Sequence, residues 1–162
     1  MTSNADTPGL AVGNKAPEIK LETDEGTPFQ LSALRGKKVV IYFYPKADTP
    51  GCTTESCQFR DSVSAFQKIG VAVLGISPDT PTAQAKFKSK YDLTFPLLAD
   101  TEKTAAQAYG VWVEKNMYGK KSMGIERSTF VVDEDGKLLK INRKVKADGH
   151  AEKVLADINA LR

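Results

Sequence analysis

Apolar positions along the chain switch between strand-like runs and helix-like stripes. Residues 37–44 form a β-branched and aromatic run stopped by Pro45. Continuous apolarity of this kind predicts a central strand covered on both faces. From Thr53 the period changes: Phe59, Val63 and Phe66 stand at i, i+4 and i+7, one face of a helix that Gly70 ends. Residues 71–77 are a second apolar strand. Strand, helix and strand with short connections make a βαβ unit, which predicts parallel pairing.

Upstream, residues 18–21 and 28–31 flank a turn-rich stretch and predict a small N-terminal β-hairpin. Downstream, Thr80 and Pro81 read as an N-cap followed by Pro at the first helical position. Phe87 and Tyr91 share a face of the helix that follows. Residues 95–98 predict a short strand, and Asp100 opens a helix to about Tyr109. Residues 128–133 and 137–145 flank Glu134-Asp135-Gly136, a hairpin signal. In its second strand Leu139, Ile141, Arg143 and Val145 fall on one face. A last helix over 147–161 carries the stripe Val154, Leu155, Ile158 and Leu161. Residues 1–14, polar and Gly-containing, read as a flexible arm. Residues 15–162 read as a single α/β layered domain.

Composition narrows the chemistry. A chain of 162 residues is long enough for one domain with a core that needs no staples. Its longest apolar run, residues 39–44, is far short of the ~20 residues of a membrane span. A net charge of +3 is too small to argue for nucleic acid. Two cysteines and one histidine supply neither a four-ligand zinc site nor a disulfide framework. The first residues lack a basic segment followed by an apolar one, so no signal peptide is read and the expected location is the cytoplasm. Thiols there are mostly reduced, which favours a catalytic or redox-sensing pair over a permanent disulfide.

The two cysteines, Cys52 and Cys57, stand in a C-x4-C arrangement where the first buried strand passes into its helix. Pro50 and Gly51 favour a bend, so Cys52 falls in the first helical turn, where free N–H groups and the helix dipole favour thiolate over thiol. Thr49, three residues earlier, is placed to aim a hydroxyl into the same pocket. In one straight helix the Cα atoms of Cys52 and Cys57 are about 8.7 Å apart, whereas a disulfide needs roughly 4.4–6.8 Å. A 52–57 disulfide therefore requires the first turns to unwind. The opposing reading, two ordinary buried thiols, fits poorly with a Pro-Gly loop–helix junction.

The stretch FYPKADTPGCTTESCQFRD, residues 43–61, resembles the peroxiredoxins. Pro45, Thr49 and Cys52 match the family pattern P-x-x-x-T-x-x-C. The C-x4-C spacing is similar to the subgroup called peroxiredoxin Q, or bacterioferritin comigratory protein. Gly110-Val111-Trp112, Met117-Tyr118-Gly119 and the segment from Gly124 to Phe130 also match, the last containing Arg127. The resemblance runs from about Gly13 to the C-terminus. It implies a thioredoxin-like fold with an N-terminal β-hairpin extension and a thiol-dependent peroxidase acting on hydrogen peroxide and organic hydroperoxides. Cys52 is then the peroxidatic cysteine and Cys57 the resolving one, joined in an intramolecular disulfide that thioredoxin or glutaredoxin reduces. Arg127 stabilises the thiolate and the charge developing on the peroxide; Pro45 shields the thiolate. No cofactor, metal or membrane is implied, and the subgroup points to a monomer.

Glu55 reads as a solvated first-turn acid and His150 as a surface residue. Trp112, Met117, Tyr118 and Met123 fit either an apolar substrate mouth or loop packing. Two rival functions remain: a general thiol–disulfide oxidoreductase, against which the missing C-x2-C counts, and a non-enzymatic redox sensor, which would need neither Thr49 nor Arg127.

Overall fold

The structure, a computed structural model, describes residues 10–161, without the side chain of Met117; residues 1–9 of the predicted arm lie outside the described residues. Where the described chain begins it is tied to the sheet. The Gly13 N–H donates to the Leu138 carbonyl at 2.7 Å, and the Leu138 N–H to the Asn14 carbonyl at 2.8 Å.

The N-terminal hairpin forms from β1 (Lys20–Thr23) and β2 (Pro28–Gln30), and a short 3-10 turn at Leu31–Leu34 leads to β3 (Lys38–Phe43). Then come α1 (Pro50–Lys68), β4 (Val71–Ser77), α2 (Pro81–Tyr91), β5 (Leu97–Ala99) and α3 (Thr104–Ala108). A hairpin of β6 (Trp112–Met117) and β7 (Lys120–Ile125) follows, then β8 (Ser128–Val132), β9 (Leu138–Asn142) and α4 (His150–Ala160). Seven strands make one sheet in the order β2-β1-β5-β4-β3-β8-β9, and β6-β7 stand apart. As predicted, β3 is central. It pairs parallel with β4 and antiparallel with β8.

The alternation of β3 explains the layers. Val39, Ile41 and Phe43 face a core shared with Tyr109, Phe130 and α3. Val40, Tyr42 and Tyr44 face a second core filled by Phe59 and Phe66 of α1, Phe87 of α2, and Val154 and Ile158 of α4. Both faces are buried, which is why the run 37–44 carries no polar alternation. The Thr80 cap is present, its hydroxyl accepting from the Ala83 N–H at 3.2 Å.

Three expectations change, and one hairpin is new. The helix expected from Asp100 begins only at Thr104. Lys103, at φ 58, first turns the chain, and the Asp100 carboxylate then caps the N–H groups of Ala105 and Ala106 at 3.2 and 2.8 Å. Leu139 and Ile141 do not share a face. A register shift between Val131 and Val132 leaves Leu139 as an extra residue, so it packs with the α1/α4 core while Ile141 packs with the α3 core. Leu161 does not continue the α4 stripe: it caps the helix and is 52% exposed. The β6-β7 hairpin was not foreseen, because the strand residues of β7 are mostly exposed and polar.

Candidate active site

The loop between β3 and α1 is held at two points. The Ala47 N–H donates to Asp79 Oδ2 at 2.7 Å, and that oxygen also accepts from Ser77 Oγ at 2.6 Å. Asp48, in the left-handed region at φ 63, accepts from Lys90 Nζ and the Tyr91 hydroxyl at 2.9 and 2.8 Å. Pro45 opens this loop and is half-buried. Thr49 precedes α1, and its hydroxyl donates to the Lys46 carbonyl at 2.8 Å. That commits its proton and leaves its lone pairs free to accept. Pro50 occupies the first helical position, so Cys52 lies in the first turn of α1 as the sequence predicts.

Cys52 is 1% exposed and Cys57 half-buried, and both are free thiols. The register of β3 on β8 pairs Phe43 with Ser128. Arg127 is thereby delivered to the end of β3, beside the loop that carries the thiol. Its Nη2 lies 3.4 Å from Cys52 Sγ and its Nη1 donates to Glu55 Oε1 at 2.6 Å. A Cβ on Gly51 would lie 3.1 Å from Arg127 Nη2, so the missing side chain leaves room for the guanidinium.

Glu55 corrects the sequence reading. It is not solvated but fully buried. Three residues after Cys52 it shares the inward face of α1, and its counter-charge comes from a residue 72 positions away. Burial pushes its carboxyl up to about 7, against the lowering effect of Arg127. Burial works against the charge of Arg127 too, but Glu55 and Cys52 outweigh it and hold the guanidinium above its usual range. His150 corrects the other reading: it is buried, 2.7 Å from Thr129 Oγ1 and edge-on to Phe59. Burial, with Lys153 adding to it, lowers its imidazole to about 4.

These two groups make opposite contributions to stability with pH. Glu55 binds its proton more tightly folded than unfolded, so its contribution is full below its ordinary value of 4.5 and is lost as pH rises through about 7. His150 binds its proton less tightly folded, so its contribution is full above 6.5 and is lost as pH falls through about 4. Urea unfolding of Glu55→Gln between pH 4.5 and 7 is expected to show stability rising more steeply with pH than in the wild type. His150→Asn is expected to show stability rising less steeply with pH than in the wild type over the same window. Parallel curves for all three proteins would remove this account.

Trp112, Tyr118 and Met123 do not converge on a mouth. Trp112 is half-buried against the α3 core with Lys103 over its ring, whereas Tyr118 is fully exposed at a hairpin tip and Met123 is half exposed. The side chain of Met117 lies outside the described residues. Among the described residues no three His, Cys, Asp or Glu side chains cluster to hold a metal. No described helix is long and apolar enough to cross a membrane.

Residues 12–141 match the AhpC/TSA family. Peroxiredoxin Bcp of Bacillus subtilis is 47% identical over 146 residues, covering 90% of this chain and 93% of that one. A cysteine-to-serine mutant of Xanthomonas campestris peroxiredoxin Q superposes with a TM-score of 0.85 at 43% identity, covering 89% of this chain and 92% of that one. The bacterioferritin comigratory protein of the same organism, solved to study its alkyl peroxide reduction activity, gives 0.84 at 43% identity, covering 88% and 90%. The fold is the thioredoxin-like one that the resemblance implies. By sequence and fold, the chain belongs to the AhpC/TSA family and, within it, to the peroxiredoxins of the Bcp or Q kind, thiol-dependent peroxidases.

Proposed function

We propose that Cys52 is the peroxidatic cysteine and Cys57 its resolving partner, with Arg127, Thr49 and Pro45 completing the site. The observation that carries this is the contact between Arg127 Nη2 and Cys52 Sγ, 3.4 Å long, at the start of α1. The thiolate of Cys52 attacks one peroxide oxygen. An S–O bond forms, the O–O bond breaks, and the departing oxygen takes a proton to leave as water or alcohol. Arg127 and the first N–H groups of α1 stand where charge develops on those oxygens. Thr49 accepts a hydrogen bond from the peroxide hydroxyl, and Pro45 limits water at the thiolate.

Cys57 then attacks the Cys52 sulfenic acid, forming S–S and releasing water, and thioredoxin or glutaredoxin reduces the disulfide to two thiols. Hydrogen peroxide and organic hydroperoxides are both substrates in this reading. The alkyl peroxide activity studied in the Xanthomonas campestris relative supports the second. The enzyme acts as a cytoplasmic monomer.

The test is a Cys57→Ser variant in stopped-flow mixing with hydrogen peroxide. The first step is expected to keep its wild-type rate while turnover with thioredoxin stops, and mass spectrometry of the oxidised wild type is expected to show a 52–57 disulfide. Full turnover by Cys57→Ser would remove the resolving role.

A further inference from the structure

Cys57 follows Cys52 by five residues in an unbroken α1, too far for a disulfide until the first turns open. The side chains that hold those turns closed differ in kind. At the mouth, Arg127 holds Cys52 and Glu55. Beneath them, Ser56, next to Cys57, points inward: it is fully buried, and its Oγ lies 2.8 Å from the hydroxyl of Tyr42, also fully buried.

Tyr42 cannot follow Ser56 outward. It belongs to the central strand β3, and its ring stacks on Phe59 and Tyr44 with centroids 4.6 and 5.4 Å away. A Cβ on Gly75 would sit 2.9 Å from the Tyr42 hydroxyl, so the phenol fills a space that only glycine leaves. Burial holds this phenol well above its ordinary value, which keeps it a neutral hydroxyl. Further along, α1 is fastened. Gln58 donates to Asp148 Oδ1 at 2.6 Å and accepts from the Gly149 N–H at 2.7 Å, and Arg60 donates to the Tyr91 carbonyl at 2.6 Å. Unwinding thus has a fixed far end at Gln58, and inside the segment that must open two buried side chains are tied, Glu55 to Arg127 and Ser56 to Tyr42.

We propose that the Tyr42–Ser56 hydrogen bond is the latch on the opening of α1, so that Ser56 and Tyr42 act as positioning residues that set how fast Cys57 captures the oxidised Cys52. The proposal rests on Cys57 being the resolving cysteine. In the closed helix the bond is made. When residues 52–57 unwind, Ser56 goes to water and water takes its place on the Tyr42 hydroxyl. Cys57 as thiolate then attacks Cys52 Sγ: S–S forms, S–O breaks, and hydroxide leaves to become water. While the latch is closed, a second peroxide molecule competes, transferring one oxygen to the sulfenate to give sulfinic acid and water or alcohol.

The experiment compares wild type, Ser56→Ala and Tyr42→Phe/Ser56→Ala by rapid mixing with hydrogen peroxide, thiol-alkylating quench and mass spectrometry. In Ser56→Ala the closed state keeps a buried hydroxyl without its partner, so disulfide formation is expected to accelerate about tenfold. The sulfinic fraction at high peroxide should fall in step, with the rate of Cys52 oxidation unchanged. In the double variant no hydroxyl is orphaned, and the acceleration shrinks to a few-fold. A merely structural role would lower the melting temperature without moving the sulfinic fraction. A folded Ser56→Ala with wild-type rates of disulfide formation overturns the latch; if that variant does not fold, the double variant is judged by the same criterion. Absence of a 52–57 disulfide in the wild type is a separate result, which overturns the resolving role of Cys57 and the latch with it.

Discussion

Cys52→Ser is expected to lose the rapid reaction with hydrogen peroxide altogether, a fall on the order of 10⁴-fold or more, the scale of deleting a catalytic nucleophile. A serine hydroxyl at this position is neither ionised near neutral pH nor oxidisable by peroxide, so no neighbouring group restores the reaction. The fold should survive. Cys52 is buried at the start of α1, serine is of similar size, and its oxygen still accepts from Arg127. Stopped-flow fluorescence with peroxide in excess gives the rate, and circular dichroism checks the fold. A folded Cys52→Ser protein that still consumes peroxide at the wild-type rate would move the peroxidatic role to Cys57.

Arg127→Met is expected to be the second largest change, and to act on rate and stability together. The guanidinium is shared between Cys52 Sγ and Glu55 Oε1, so removing it takes away the charge facing the reacting oxygens. The peroxide step should slow by about 10²- to 10³-fold, the usual effect of losing one aimed donor. It also leaves the Glu55 carboxylate buried without its counter-charge, a loss of about 3 kcal/mol or more. Because burial already raises the Glu55 carboxyl to about 7, that loss should shrink in acid, where Glu55 takes up a proton. Arg127→Lys separates the two effects. It keeps the positive charge but not the fork that reaches two acceptors, so it should recover more stability than rate. Equal peroxide rates in Arg127→Met and wild type would exclude the arginine from the reaction.

What the sequence shows of this molecule is mainly what its local chemistry dictates. The run 37–44 announces a strand buried on both faces, the period of Phe59, Val63 and Phe66 announces α1, and Pro50 with Gly51 sets Cys52 at a helix start. Each depends on residues close in sequence. The misreadings at the site involve partners brought from afar. Glu55 looks like a solvated first-turn acid until β8 carries Arg127 to it. His150 looks exposed until α4 lies against Thr129, 21 residues upstream. Leu139 changes face because one residue is inserted into the ladder, which no alternation of its own strand shows. The β6-β7 hairpin escapes for a different reason. Its turn is Tyr118-Gly119, both at positive φ, and tyrosine is not a residue that advertises such a turn. The Tyr42–Ser56 pair was equally hidden, since an aromatic in a strand and a serine in a helix reveal no bond between them.

The 75 residues that separate Arg127 from Cys52 also bear on the order of events during synthesis. A chain leaving the ribosome exposes its thiol well before the guanidinium emerges, and β8 takes its place beside β3 only after the β6-β7 hairpin has passed. Until then Cys52 is a cysteine without its cation. Under the proposed roles, a chain not yet extended to residue 127 carries the nucleophile without the guanidinium that activates it.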